Sequence, residues 1–244
     1  MKNNPLVSIV TVSLNSAKTI ERTITSVLNQ TYKNIEYIII DGGSADGTID
    51  IIKKYNDRIA YWISEKDHGI YDAMNKGIDI ARGQYINFMN SDDYLYNENV
   101  IEDIVLLCCD DYDLVYGNTE IRLKHNKFVI KAPLPKYLWK GLIIHQSSFI
   151  SNRMAKKYKY NINNELVADF ELFLNIYYNN GKILRVNKII SSYSTGGISS
   201  IRSEKVIEDY YKTLIKYRND KWAMMNYLMM KLMNHPWTII KKIL

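Results

Sequence analysis

Residues 85–93 read YINFMNSDD, an apolar run that ends on a small residue and two adjacent carboxylates, Asp92 and Asp93. An extended segment that delivers acids to its C-terminal end places them where open α/β sheets bind ligands. Adjacent carboxylates repel each other and want a counter-charge, and hard divalent cations such as Mg²⁺ or Mn²⁺ prefer oxygen ligands. A cation held there would bind a diphosphate in turn. Asp-Asp after a strand also caps helices well, so the pair alone leaves a metal site and a capped turn as equal readings.

The elements that must position these acids alternate. Residues 7–12 form a β-branched run, and residues 17–30 follow with Ile20, Ile24, Val27 and Leu28 at helical spacing. Residues 35–40 make a second buried strand ending at Asp41, Gly42-Gly43-Ser44 breaks the chain, and residues 48–55 restart a helix. Residues 59–63 and 85–89 supply two further strands, with helices over 70–81 (Met74, Ile78 and Ala81 on one face) and 99–107. Strands that alternate with crossover helices imply an α/β fold with a mainly parallel sheet covered on both faces. The ends of the strands collect Ser13 and Asn15, then Asp41, then Asp92 and Asp93 along one edge. Asp41 there suits a base or ribose, or equally an Asx-turn over the two glycines. No GxGxxG or GxxxxGK[ST] occurs, which argues against a dinucleotide-binding dehydrogenase and a P-loop NTPase.

The second half is less regular. Short strands are expected at 114–116, 120–123, 127–131 and 145–150, a helix at 167–178, a strand at 183–190 and a helix at 204–217. Residues 222–244 are apolar and Met-rich, broken at Pro236.

Four stretches in order, SIVTVSLN, DGGSADGT, DHGIYDAMNKG and NSDD, resemble family 2 glycosyltransferases of GT-A type over about residues 5–200. The DHGIYDAMNKGI stretch is most similar to bacterial enzymes that build capsule, O-antigen (lipopolysaccharide) or exopolysaccharide. The resemblance implies a GT-A, Rossmann-like fold in residues 1–200 and a helical C-terminal extension in 201–244. It implies inverting, metal-dependent transfer of a sugar from a nucleoside diphosphate donor, UDP by family habit. Thr11, Ser13, Asn15 and Asp41 would cradle base and ribose, Asp92 would touch the ribose, and Asp93 would ligate Mn²⁺ or Mg²⁺. Asp67, His68 and Gly69 would form a nucleotide-side loop, with Asn75 facing the same crevice. Asp169, in VADFELF, stands where the catalytic base is expected, and Glu171 is the fallback.

Each of these residues has a plainer reading. Asp169 would N-cap its helix, His145 in HQSSFI would approach acceptor or metal or else satisfy a backbone carbonyl, and Gly196-Gly197 would be a closing loop or a simple turn. A sugar nucleotidyltransferase is the different-class alternative, but VTVSLNSAKT lacks the glycines such enzymes place after the first strand. A catalytically silent sugar-nucleotide-binding protein is the third.

Composition frames these readings. The 244 residues fit one large domain or a domain with an extension. Cys108 and Cys109 are adjacent and cannot easily bridge each other, so a reducing cytoplasm is expected. The start of the chain reads as a first strand and not a signal peptide. Residues 1–120 hold 10 Lys+Arg against 19 Asp+Glu, whereas residues 121–244 hold 22 against 7. The acidic half suits a cation. The basic half suits anionic lipid at the inner face of the cell membrane, or an anionic acceptor such as a glycan on a polyprenyl diphosphate. No nucleic-acid motif accompanies the charge. Trp222, Met224, Met225, Leu228, Met229 and Met230, with Lys231, Lys241, Lys242 and Trp237, read as a membrane-surface helix first, with core packing or a dimer contact as alternatives.

Overall fold

The computed structural model describes residues 4–107, 111–141, 143–195 and 203–232. Cys108, Cys109, Gly196-Gly197 and residues 233–244, with Pro236, Trp237, Lys241 and Lys242, lie outside them.

The β-branched runs of the first half pair side by side. Strand β1 (Val7–Ser13) lies in the middle, parallel to β2 (Ile35–Asp41) on one side and to β4 (Tyr85–Phe88) on the other, and β3 (Tyr61–Ser64) extends the β2 side. Successive side chains on a strand face opposite ways, and both faces here are apolar because helices cover both. Val10, Val12, Ile38, Ile40, Ile86 and Phe88 meet Met74 and Ile78 of α3 (Ile70–Ile80). Val7, Ile9, Tyr37 and Ile39 meet Ile20, Ile24 and Val27 of α1 (Ile20–Leu28) and Ile52 of α2 (Thr48–Lys54). Helix α3 approaches the sheet closely at Gly77, where a Cβ would stand 2.5 Å from Val10 Cγ1. Helix α4 (Val100–Leu107) completes the second face.

The second half adds β5 (Tyr94–Leu95), β6 (Leu114–Arg122), β7 (Lys127–Ile130), β8 (Ser148–Ser151) and β9 (Ile183–Ser194). It also adds 3₁₀ turns at Pro135–Lys140 and His145–Ser147, and helices α5 (Asn152–Tyr158), α6 (Ala168–Tyr178), α7 (Ser203–Leu214) and α8 (Lys221–Leu232). Among the described residues there is one nine-stranded sheet in the order β3-β2-β1-β4-β8-β6-β9-β5, with β7 on β6. It is α/β and flanked by helices, as expected, but only the pairings among β1–β4 are all parallel: β8 enters antiparallel between β4 and β6, β5 is antiparallel to β9, and β6 and β9 are parallel.

Several local expectations change. The segments 114–116 and 120–123 are one strand, kept continuous through Gly117 and Asn118 by an irregularity in its register with β9. Residues 145–150 split into a 3₁₀ turn and β8, because the Ser148 hydroxyl donates to the His145 carbonyl and closes the turn. Strand β9 runs on to Ser194, where Ser191 and Ser192 pair with β5. Helix α7 packs on α6, with Phe170 and Tyr210 rings 4.6 Å apart.

Candidate active site

The C-terminal ends of β1, β2 and β4 open on one edge, and the side chains there divide into a floor and a surface. Asp41 is 0% exposed. Its Oδ1 accepts from the Ser13 and Ser44 hydroxyls at 2.8 and 2.6 Å. Its Oδ2 accepts from the Ser64 hydroxyl at 2.7 Å and from the backbone N–H of Gly43 and Ser44. Burial works to raise its pKa, but the hydrogen bonds from Ser44, Ser64 and Ser13 outweigh it and hold the carboxyl below its ordinary value. Thr11 is likewise buried and meets the Tyr37 hydroxyl. The side chains of Thr11, Ser13 and Asp41 therefore brace the edge from beneath, since every polar atom they carry is already engaged. Leu14 and Asn15 are exposed above them, with Asn15 in the left-handed region (φ 49°) and accepting from the Ala45 N–H. Asp67 is half-buried over this edge and closes an Asx-turn to the Gly69 N–H. His68 is exposed beside it.

The two acids after β4 are not equivalent. Asp93 is 1% exposed. Its Oδ2 accepts from Gln146 Nε2 at 2.6 Å and its Oδ1 from the Ser194 N–H at 2.7 Å. Each oxygen of Asp93, the expected metal ligand, thus accepts one hydrogen bond, and the pair of bonds ties the β4 end to β9. Asp92 is only half-buried and its carboxylate is held by its own backbone N–H, with no hydrogen bond to another residue among the described ones, while its backbone carbonyl accepts from Arg122. Burial and then the neighbouring Asp92 charge push the Asp93 carboxyl well above the usual carboxylate range, and burial raises Asp92. Arg122, 3.8 Å from Asp93 Oδ1, is the nearby cation, and its guanidinium stacks on Tyr94.

No group of three or more His, Cys, Asp or Glu gathers at one point among the described residues. A Mg²⁺-type site does not require one, because one or two carboxylates plus substrate phosphates suffice. The open Asp92 carboxylate fits that donor set.

Asp169 lies in the first turn of α6, and the N-cap is Val167, without a side-chain cap. Its Oδ1 accepts from the Phe170 N–H and, at 3.2 Å, from the Tyr71 hydroxyl of α3. Its Oδ2 is 3.2 Å from His145 Nδ1, and His145 Nε2 is 3.4 Å from Asn90 Oδ1 at the end of β4. A carboxylate only accepts, so Nδ1 carries the hydrogen. His145 thus bridges Asp169 to the strand end that carries Asp92. Burial, then the Asp169 charge, raises the Tyr71 hydroxyl well above its ordinary value, which keeps it a donor.

Two expected residues point away from this cluster. Glu171 faces Asn161, Asn164 and Lys216. Burial raises its pKa, but Asn164 and Lys216 outweigh that and hold it low, so it fastens α6 to the 161–164 loop and to the segment after α7. Asn75 exchanges both amide hydrogen bonds with the backbone of Tyr160 at 2.8 Å, which fixes α3 on that loop. Sequence reasoning missed Asn90, Tyr71, Gln146 and Arg122. The first three sit inside the NSDD, DHGIYDAM and HQSSF stretches, and Arg122 carried no local signal.

Comparison with known proteins places this geometry. A model of glycosyl transferase family 2 matches residues 8–180. A PGL/p-HBAD biosynthesis glycosyltransferase of Mycobacterium bovis (strain BCG / Pasteur 1173P2) is 28% identical over 209 residues, 82% of each chain. The crystal structure of S. aureus TarS superposes with a TM-score of 0.68 at 15% identity; the match covers 91% of this chain but only 42% of TarS. The mannosyltransferase PcManGT from Pyrobaculum calidifontis, solved with GDP-Man and Mn²⁺, gives a TM-score of 0.70 at 14% identity, over 95% of this chain and 70% of that one. Such neighbours share the GT-A fold, and the family match answers the nucleotidyltransferase and silent-binder alternatives: this chain belongs to glycosyl transferase family 2 and is a glycosyltransferase.

Proposed function

We propose that the protein inverts the anomeric centre of a nucleoside diphosphate sugar while transferring the sugar to a hydroxyl of a lipid-carried glycan, in bacterial surface polysaccharide synthesis. The carrying observation is the His145 bridge, which sets Asp169 against the strand end that bears Asp92. The acceptor oxygen bonds to the anomeric carbon as the bond to the diphosphate breaks, and that electron pair leaves on the diphosphate oxygen. The acceptor proton passes to the Asp169 carboxylate, the general base. His145 and Tyr71 orient that carboxylate by donating to it. Asp92 and not Asp93 is the carboxylate that would hold Mn²⁺ or Mg²⁺, and such an ion, when bound, neutralises charge on the leaving diphosphate. Asn15, Asp67 and Gly69 line the nucleoside side, above the floor of Thr11, Ser13 and Asp41.

The test is a donor screen. Slow hydrolysis of one nucleoside diphosphate sugar is expected with Mn²⁺ and is abolished by EDTA. Hydrolysis that ignores EDTA would remove the cation from the proposal.

The acceptor assignment draws on the face formed by α8 and the Pro135–Lys140 turn. Trp222, Met225, Leu228 and Met229 are exposed on α8, as is Tyr137 on the turn. A cleft of about 290 Å³ between them is lined by Trp139 and Lys140 as well. Lys136 and Lys140 both stand over the Tyr137 ring, 5.0 Å from its centre, and Lys221 over Trp222. No helix among the described residues is long and apolar enough to cross a membrane. Aromatic and methionine side chains ringed by lysines suit the surface of an anionic bilayer, where each nearby lysine contributes about 1 kcal/mol. Replacing both Trp222 and Met229 with Glu is expected to cut sedimentation with phosphatidylglycerol vesicles several-fold and to leave donor hydrolysis intact. Unchanged sedimentation with a shift from dimer to monomer would make this face a self-contact.

A further inference from the structure

Helix α7 lies beyond residues 8–180, the stretch that the family model matches, yet one of its side chains reaches the catalytic cluster. The Tyr210 ring sits 4.6 Å from the Phe170 ring, tilted by 56°. The backbone of Gly141 closes on the same ring: a Cβ there would lie 2.6 Å from Tyr210 Cε1 and 2.9 Å from Cδ1. Gly141 ends the Pro135–Lys140 turn in the left-handed region (φ 72°), and its missing side chain lets the turn come this close. Two segments distant in sequence therefore grip one ring. Phe170 is buried, and its N–H donates to Asp169 Oδ1. Burial, and then the Asp169 charge, pushes the Tyr210 hydroxyl up, so the far end of the ring lies in the field of that carboxylate and stays neutral. The rest of the joint holds α7 still. The Thr213 hydroxyl accepts from Asn164 Nδ2 and Lys216 pairs with Glu171, each at 3.0 Å, and Tyr211 stacks on Tyr227 of α8 at 4.4 Å.

We propose that Tyr210 is a positioning residue for the general base: its ring holds Phe170, and through Phe170 the Asp169 carboxylate, in the orientation that meets His145. This rests on the general-base reading above and deepens it. The N-cap Val167 gives α6 no side-chain bond, so the first turn of the helix is not fixed from its own end. A base must stand within hydrogen-bond reach of the proton it takes, and an error of about 1 Å costs on the order of 10²-fold in rate. The bonds of Asp169 to His145 and to Tyr71 are both 3.2 Å, long enough that a small swing of Phe170 would break them. The role falls to the ring and not to the hydroxyl, because the contacts with Phe170 and Gly141 are made by ring atoms. Helix α7 is then a part of the catalytic centre, and the functional unit runs past residue 200 to Leu214 at least.

The experiment reads His145 directly. The full chain has four histidines, His68, His125, His145 and His235. With isotope-labelled histidine their ring nitrogens resolve by long-range nitrogen–proton correlation NMR, His145 being assigned by its loss in His145→Gln. The native protein is expected to show His145 protonated at Nδ1, the nitrogen that faces Asp169. Tyr210→Leu is expected to erase that signature. It should also lower kcat by about 10- to 100-fold, with KM unchanged, for the sugar nucleotide hydrolysed in the donor screen. Tyr210→Phe keeps the ring and is expected to keep both the signature and kcat. Tyr217→Leu removes a stack on Tyr178 at the far end of α6. It is expected to lower the thermal midpoint with the His145 signature intact, which separates a loosened helix from a misplaced base. Should Tyr210→Leu fail to fold, Gly141→Ala, which presses one methyl group into the ring, carries the same expectation. An unchanged His145 signature in Tyr210→Leu, or its loss in Tyr217→Leu as well, overturns the positioning role. Loss of the signature in Tyr210→Leu, beside an Asp169→Asn variant that hydrolyses donor at the native rate, would keep the positioning and overturn the general-base reading instead.

Discussion

Asp169→Asn is expected to lower kcat for sugar transfer by about 10² to 10⁴, the range for loss of a positioned general base. The amide keeps the shape of the carboxylate and still accepts from Tyr71 and the Phe170 N–H, but it cannot take a proton. Donor affinity should hardly move, because the strand-end residues proposed to line the nucleoside side are untouched. The thermal midpoint should hold as well, since Val167 and not Asp169 is the N-cap of α6. Single-turnover rates with saturating donor and acceptor, next to a binding isotherm for the nucleoside diphosphate, separate the outcomes. A variant that loses donor binding but keeps its chemical step would make Asp169 part of the donor site.

The second large effect is expected at Asp92. Asp92→Asn should abolish Mn²⁺-dependent hydrolysis and transfer, and should remove the gain that Mn²⁺ gives to nucleoside diphosphate binding. The variant should fold normally, because the Asp92 carboxylate bonds only its own backbone N–H among the described residues, and an amide oxygen can keep that bond. Asp93→Asn should behave differently. One of its two buried bonds, to Gln146 or to the Ser194 N–H, would face a donor with a donor, and a buried group left unsatisfied costs about 1–3 kcal/mol. The expected signature is a lowered unfolding free energy in urea with Mn²⁺ stimulation partly retained. If instead Asp93→Asn is as stable as the native chain and blind to Mn²⁺, the ion belongs on Asp93.

The contrast between these two acids shows where sequence reading stops. That a strand would deliver two acids to the C-terminal edge of the sheet was legible in YINFMNSDD, because parallel strands covered on both faces appear as unbroken β-branched or aromatic runs. The same signal exposed β1 and β2, and the spacing of Ile20, Ile24 and Val27 exposed α1. Which carboxylate oxygen would remain free was not legible. It depends on Gln146 and Ser194, which are distant along the chain and carry no pattern that points back to residue 93. Asp41 is a similar case: its acid was visible at the strand end, but its three serine partners come from three different segments. In the second half, β5 has two residues, too few for any periodicity, and α5 is a short helix with little apolar content. The direction of β8 was unreadable because pairing sense is set by the neighbours on either side, not by the strand's own residues.

That antiparallel insertion has a consequence for biosynthesis. Strand β4 gains its second neighbour from Ser148–Ser151, so during translation the nascent β3-β2-β1-β4 sheet has an unpaired hydrogen-bonding edge until that distant segment leaves the ribosome. At elongation rates of about 5–20 residues per second, the gap lasts on the order of seconds. An open edge of this kind recruits foreign strands, and Tyr85–Phe88 has no charged side chain to discourage them. A ribosome that pauses between β4 and β8 should therefore increase the fraction of this protein lost to aggregates, whereas a pause after β8 should not.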